Sequence, residues 1–91
     1  MRVKFLHRGK TLSLSDNEGI ITWMRRNDNE GFRTNEQFMH AYAERKKLFH
    51  NFDISTNDVN AFVSDLERYR IIEKISSPLY VSFKRARKKV F

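Results

Sequence analysis

Apolar residues recur at helical spacing in the stretch that begins at Ser55. Their intervals are three, one and three residues, which places them on one side of an α-helix: Val59, Phe62, Val63 and Leu66. Ser55 is a residue type that caps helix N-termini, and Ile54 with Val59 has the spacing of an apolar staple across such a cap. The pattern predicts a helix over residues 56–70.

Beyond residue 70 the spacing of apolar positions changes to alternation. Residues 71–75 and 79–83 are interpreted as strands, with Leu79, Val81 and Phe83 on one face of the second. The sequence Ser76-Ser77-Pro78 between them has the composition of a turn. A second alternating pair surrounds Gly9 within residues 1–14. Two β-hairpins are therefore predicted, one before and one after the helical region.

Two further helices are predicted between the hairpins. Ser15 precedes Glu18, and Thr34 precedes Gln37, by the three residues that separate the partners of a capping box. The first helix is predicted over 16–28. The second is predicted over 35–48, with an apolar face made of Phe38, Ala41, Tyr42, Leu48 and Phe49.

The net charge of +7 is confined to the two ends of the sequence. Residues 1–14 carry four Lys or Arg and no acid, and residues 84–91 carry five and no acid. Residues 15–83 carry nine basic and eleven acidic residues. A polyanion such as nucleic acid is a natural partner for such ends. Solvated basic termini are the alternative interpretation.

No combination of side chains indicates catalysis or a metal site. The chain has no Cys, and none of its three histidines is followed three or four residues later by a second His. The sequence lacks a nucleophile elbow and a glycine-rich phosphate loop. It also lacks an apolar run of membrane-span length and the apolar core of a signal peptide. We therefore expect no enzyme activity, no cofactor, no metal and no membrane partner, and a cytoplasmic location at a nucleoid or in a host cell.

The order helix, helix, helix, hairpin resembles that of winged helix-turn-helix domains. The segment LERYRIIEKISSPLYVSFKR carries the likeness, because a helix end, a short strand, a turn and an aromatic strand follow one another in it. The resemblance covers roughly residues 15–85. It implies a single α+β winged-helix domain over 1–85, with three helices, a C-terminal wing and an additional N-terminal hairpin at 1–14. A basic tail at 86–91 would follow.

In this family the third helix usually enters the DNA major groove and the wing contacts the backbone or minor groove. Carried over to this chain, the outward face of helix 56–70 would meet bases through Asn57, Asn60, Ser64 and Arg68. Asn pairs with adenine and Arg with guanine. The phosphate contacts would come from Lys74, Lys84, Arg85, Arg87, Lys88 and Lys89.

The sequence departs from the family pattern at three places. The turn "HNFDIS" between the second and third helices is longer than usual and has no Gly. The N-terminal hairpin is an addition. The third helix region also carries three acids, Asp58, Asp65 and Glu67, which would repel phosphate if they faced it.

The expected function is double-stranded DNA binding by a small transcription regulator, of the kind frequent in mobile genetic elements and viruses. Five tail contacts to phosphate would give a log–log salt slope of roughly −4 to −5. One alternative is a winged-helix adaptor or inhibitor that docks on a larger transcription or replication machine such as a polymerase. Another is RNA binding with a tail that orders on its target. A homodimer through the first helix or Phe91 also stays open.

Overall fold

A computed structural model describes residues 1–75 of the chain. Six elements follow one another: β1 Arg2–Phe5, β2 Lys10–Ser13, α1 Asn17–Arg26, α2 Asn35–His50, α3 Val59–Arg68 and β3 Ile72–Ile75. This part of the chain is α+β, with the three predicted helices and a three-stranded antiparallel sheet in place of two separate hairpins. The second wing strand predicted at 79–83 lies outside the described residues.

The sheet has the order β2-β1-β3, so that the first strand of the chain is its central strand. The predicted N-terminal hairpin is confirmed, with Val3 opposite Leu12 in its register. It is not a peripheral addition, however, because β1 also pairs along its length with β3, where Phe5 lies opposite Ile72. Val3 and Phe5 are both buried, so the N-terminal hairpin supplies the buried apolar residues of the central strand.

The core lies between the sheet and the three helices. Of the four residues predicted to line the inner face of α3, Val59 is half-buried and the other three are completely buried: Phe62, Val63 and Leu66. They pack in one cluster with Ile20 and Ile21 of α1 and Phe38 of α2. An apolar stripe of this width is what an amphipathic helix needs to dock on its neighbours, and the prediction for α3 is confirmed in this respect.

The C-terminal half of α2 departs from the predicted apolar face. Phe38 and Tyr42 are buried, but Leu48 and Phe49 are 75% and 76% exposed, so the prediction was wrong for this pair. The helix rises 1.5 Å per residue, which carries Leu48 about 15 Å beyond Phe38 along the axis. The apolar residues of α2 that contact the core lie between Phe38 and Ala43, and the last turn of the helix extends past the core.

Capping boxes were predicted at the N-termini of α1 and α2. The Thr34 hydroxyl accepts a hydrogen bond from the backbone N–H of Gln37 at 3.1 Å, so the predicted cap of α2 is confirmed. For α1 the cap is Asp16 rather than Ser15, because the Asp16 carboxylate accepts the N–H of Gly19 at 2.8 Å. A carboxylate at this position also interacts favourably with the helix dipole.

Helix α3 covers 59–68 instead of the predicted 56–70, and its cap is not Ser55. The backbone N–H of Ser55 donates to the Asp65 carboxylate at 2.8 Å, which holds this residue in the loop. Asp58 has extended backbone angles, and its carboxylate accepts the N–H of the third helical residue at 2.7 Å. Asp58 is therefore the N-cap.

The C-terminal end of α3 is closed by a left-handed residue. Arg70 has φ 61°, a conformation that non-glycine residues adopt rarely. Its N–H donates to the Glu67 carbonyl at 3.0 Å, and the N–H of Ile71 donates to the Leu66 carbonyl at 2.9 Å. These two bonds make a Schellman motif, which turns the chain from α3 into β3.

Candidate nucleic-acid interface

Three polar side chains lie on the outer side of α3 and the turn before it. Asn57, Asn60 and Ser64 are exposed, on the side away from the buried apolar stripe. Residues four apart on a helix are neighbours on its surface, so Asn60 and Ser64 form one continuous polar surface. Three of the four residues predicted to contact bases therefore lie together where a groove of a nucleic acid can reach them.

Asn60 also contacts the start of α1. Its side-chain oxygen accepts a hydrogen bond from the Asn17 side-chain amide at 2.8 Å. This bond leaves the Asn60 NH₂ group available, and that group is a donor to acceptor atoms on base edges. Asp16 and Glu18 of the α1 start line the same shallow depression as Asn60. The N-terminal end of the polar surface is therefore bordered by two acids.

The three acids in and beside α3 are engaged in contacts within the protein. Asp58 caps the helix, and Asp65 is a largely buried acceptor for the Ser55 N–H. The Glu67 carboxylate lies 3.9 Å from the Lys74 ammonium. A carboxylate that is paired or hydrogen-bonded opposes an approaching phosphate less than an unpaired one, because part of its field is neutralised. These three acids should therefore repel a phosphate near α3 less than the sequence alone indicates.

Arg68 is positioned differently from the other predicted base contacts. Its guanidinium donates to the Asp65 carboxylate at 3.3 Å and to the Asp53 carbonyl at 3.2 Å. It also lies over the Tyr69 ring, 4.5 Å from the centroid. The hydrogen bond and charge of Lys47, and then the charge of Arg68, lower the pKa of Asp53. Arg68 thus connects the α2–α3 loop to α3, although 59% of its side chain is exposed.

Lys74, predicted to contact phosphate, lies on the inner side of the sheet. It is opposite Val3 in the β1–β3 register, so both side chains point to the helices, and its ammonium lies near Glu67. The remaining predicted phosphate contacts lie outside the described residues: Lys84, Arg85, Arg87, Lys88 and Lys89.

The outer face of the sheet carries two further cations. They were not among the residues predicted to contact nucleic acid. Arg2 and Lys4 are exposed, because they alternate with the buried Val3 and Phe5 on the central strand. Strand alternation could have identified them as outward residues. Their place in the centre of the sheet was not available from sequence, because it depends on pairing between β1 and β3.

Within residues 1–75 there is no cluster of three or more His, Asp or Glu side chains that could hold a metal ion. No helix in the described range is long and apolar enough to cross a membrane. Comparison with protein-family models, curated proteins and solved structures finds no match to this chain.

Proposed function

We propose that this chain is a winged-helix protein that binds duplex DNA through the outer face of α3. Asn57, Asn60 and Ser64 would contact base edges in the major groove, and the cations of segment 84–89 would contact phosphates. The supporting observation is the exposed polar surface that these three residues form on the outer side of α3 and the turn before it. A helix of this diameter fits the major groove, whose base edges carry a donor and acceptor pattern.

The proposed role of Arg68 changes from the one expected from sequence. Its bonds to Asp65 and Asp53 and its position over Tyr69 make it a residue that fixes the orientation of α3. Base contacts are then carried by amide and hydroxyl groups, and the sequence-independent affinity by the segment after residue 75. Such a division is common, since phosphate contacts position a protein and base contacts specify the site.

The test is a fluorescence-anisotropy titration of a labelled duplex library at about 50 and 200 mM salt. Five phosphate contacts from residues 84–91 would lower the affinity about 10²- to 10³-fold between the two salt concentrations, and deletion of these residues would remove most of that dependence. On a selected duplex, Asn57→Ala or Ser64→Ala would weaken binding by about 1–3 kcal/mol, which is the usual range for one specific base contact.

Asn29→Ala is the matched control for Asn57→Ala. Asn29 is also exposed, but it lies in the loop between α1 and α2. Its substitution should leave duplex binding unchanged. Absence of any duplex affinity at about 50 mM salt, or equal effects of the two Asn variants, would refute the proposal.

A second candidate function is a protein-binding adaptor for a nucleic-acid machine. It is favoured by Leu48 and Phe49, the two large apolar side chains that α2 exposes beyond the core. In this case Phe49→Ser would abolish binding to the partner, whereas Asn57→Ala would have no effect. Duplex affinity that is absent at about 50 mM salt, together with binding to a purified polymerase that depends on Phe49, would favour the adaptor over the DNA-binding protein.

A further inference from the structure

A cavity of about 240 Å³ lies between the β1–β2 hairpin, α1 and α2, and α3 contributes nothing to its lining. Its apolar wall is largely aromatic and comes from these three parts of the fold: Phe5, Trp23, Phe38 and Tyr42. The volume is below the roughly 300–1,000 Å³ of sites for drug-sized ligands. The cavity therefore has room for a single ring system with a small substituent.

Two cations at the cavity lie over its aromatic rings. The Arg8 guanidinium is 5.5 Å from the centroid of the Trp23 ring, and the Lys46 ammonium is 5.4 Å from that of Tyr42. Neither cation forms an ion pair with a carboxylate side chain of residues 1–75, and residues 76–91 contain no Asp or Glu. The charge of Arg8 helps to lower the pKa of Asp28, whose carboxylate also lines the cavity, but without direct contact. Two cations with no carboxylate side chain in direct contact favour an anionic ligand in the cavity.

The third cation of the cavity is already neutralised. Arg45 forms an ion pair with Asp28 at 3.1 Å and lies 3.9 Å from a carboxylate oxygen of Glu30. Burial, and then the charge of Arg45, lower the pKa of Lys46. A bound anion would offset both effects, because it would supply the negative charge that the surroundings of Lys46 lack.

The hydroxyl of Tyr42 adds a polar group to the aromatic wall. Burial raises the pKa of Tyr42 to about 12, so the hydroxyl stays protonated near neutral pH. It makes no side-chain hydrogen bond with the residues that the structure describes. Its proton is thus available to an acceptor on a ligand.

We propose that this cavity binds a small aromatic ring that carries one phosphate group. The ring packs against Trp23 and Tyr42, and the phosphate is held by Arg8 and Lys46. Phosphate suits this site because it offers several acceptor oxygens to two cations and a hydroxyl at once. The site is separate from the outer face of α3, and the proposal does not depend on DNA binding.

The intrinsic fluorescence of Trp23 provides the assay, because Trp23 is the only tryptophan of the chain. The full chain is titrated with phenyl phosphate, and with inorganic phosphate and phenol as half-ligands. We expect phenyl phosphate to change the emission with an affinity at least tenfold higher than either half-ligand. Uridine 5′-monophosphate and O-phosphotyrosine then distinguish a nucleotide from a phosphorylated amino acid as the source of the group.

Lys46→Met and Lys47→Met form a matched pair of variants. Both remove one ammonium from adjacent positions of α2, but only Lys46 lines the cavity. Lys46→Met should weaken phenyl phosphate binding at least tenfold, and Lys47→Met should leave it unchanged. Arg8→Ala, in the exposed hairpin turn, is an independent variant for the case that Lys46→Met lowers the thermal midpoint.

Three results would overturn the proposal. The first is no saturable change in Trp23 emission with phenyl phosphate. The second is equal affinity for phenyl phosphate and for one of its half-ligands, which would show only an anion patch or only an apolar pocket. The third is an equal loss of binding in the Lys46 and Lys47 variants, or no loss in the Arg8 variant.

Discussion

The central place of β1 in the sheet makes a quantitative prediction about Phe5. Its side chain is 4% exposed and its ring centroid lies 4.5 Å from that of Trp23. Truncation of a buried Phe to Ala costs about 3–5 kcal/mol, through lost transfer free energy and the cavity that remains. A 91-residue domain has a free energy of unfolding of about 5–14 kcal/mol, so Phe5→Ala should remove a large part of the total.

Lys4→Ala is the matched control on the same strand. Lys4 is exposed on the outer face of the sheet, opposite Glu73, and a cross-strand pair of this kind contributes at most about 1 kcal/mol. Both variants are unfolded in urea and followed by far-UV circular dichroism. With an m value of about 1.5 kcal/mol/M, the midpoint should fall by roughly 2–3 M for Phe5→Ala and by less than 1 M for Lys4→Ala.

Similar midpoints for the two variants would refute the reasoning. Such a result would mean that the N-terminal hairpin is the peripheral addition expected from the family resemblance, and that the helices fold without it. A change in the m value of Phe5→Ala, by contrast, would indicate a loss of two-state unfolding, and the hydrogen-exchange protection of α3 would then be the measure of remaining core structure.

Three further predictions concern the remaining elements. Asp58→Ala should lower the free energy of unfolding by about 1 kcal/mol, because the Asp58 carboxylate caps α3, and Ser55→Ala should lower it clearly less. Both are measured by urea unfolding, and a larger loss for Ser55→Ala would mean that Ser55 is the cap, as predicted from sequence. Leu48→Ser with Phe49→Ser should change the free energy of unfolding by less than about 0.5 kcal/mol each, and a larger loss would mean that the pair is packed in solution. Burial tends to raise the pKa of Asp28, but hydrogen bonds from a backbone N–H and an arginine outweigh it and hold the pKa below its ordinary value. Its stabilisation is therefore present above about pH 4 and is lost as the pH falls through the folded-state pKa. Asp28→Asn should lower the thermal midpoint at pH 7 and approach the parent as the pH falls below about 4, whereas a difference that does not change with pH would contradict the assignment.

The candidate interface was predictable only in part. Helical spacing identified Ser64 as an outward residue, because the apolar stripe of α3 is unambiguous and the opposite face follows from it. Asn60, which was also predicted to contact bases, is exposed as well. The same reasoning could not place Arg68, whose partners include the Asp53 carbonyl, fifteen residues away in the α2–α3 connection. The contacts of a long side chain at a helix end depend on which residues the tertiary structure places near it, and helical spacing does not give these.

The sequence by itself determined the features that depend on neighbours a few residues apart. The existence and order of three helices, the cap at Thr34 and the hairpin around Gly9 all follow from local hydrogen bonds and from the period of the apolar positions. The predicted start of α3 was wrong by a few residues, because Ser55 and Asp58 both have side chains that can cap a helix. The Asp65 carboxylate binds the Ser55 N–H and leaves Asp58 as the cap.

Only the tertiary structure decided which of these elements meet. It paired β1 with β3, which are separated by most of the described chain, and so converted an expected addition into the centre of the sheet. It placed the last turn of α2 beyond the core, so that Leu48 and Phe49 are exposed. It also assembled the aromatic cavity from Phe5, Trp23 and Tyr42. The physical reason is the same in each case: burial is a property of contacts across the fold, and the apolar period of a segment indicates which face is buried without saying what covers it.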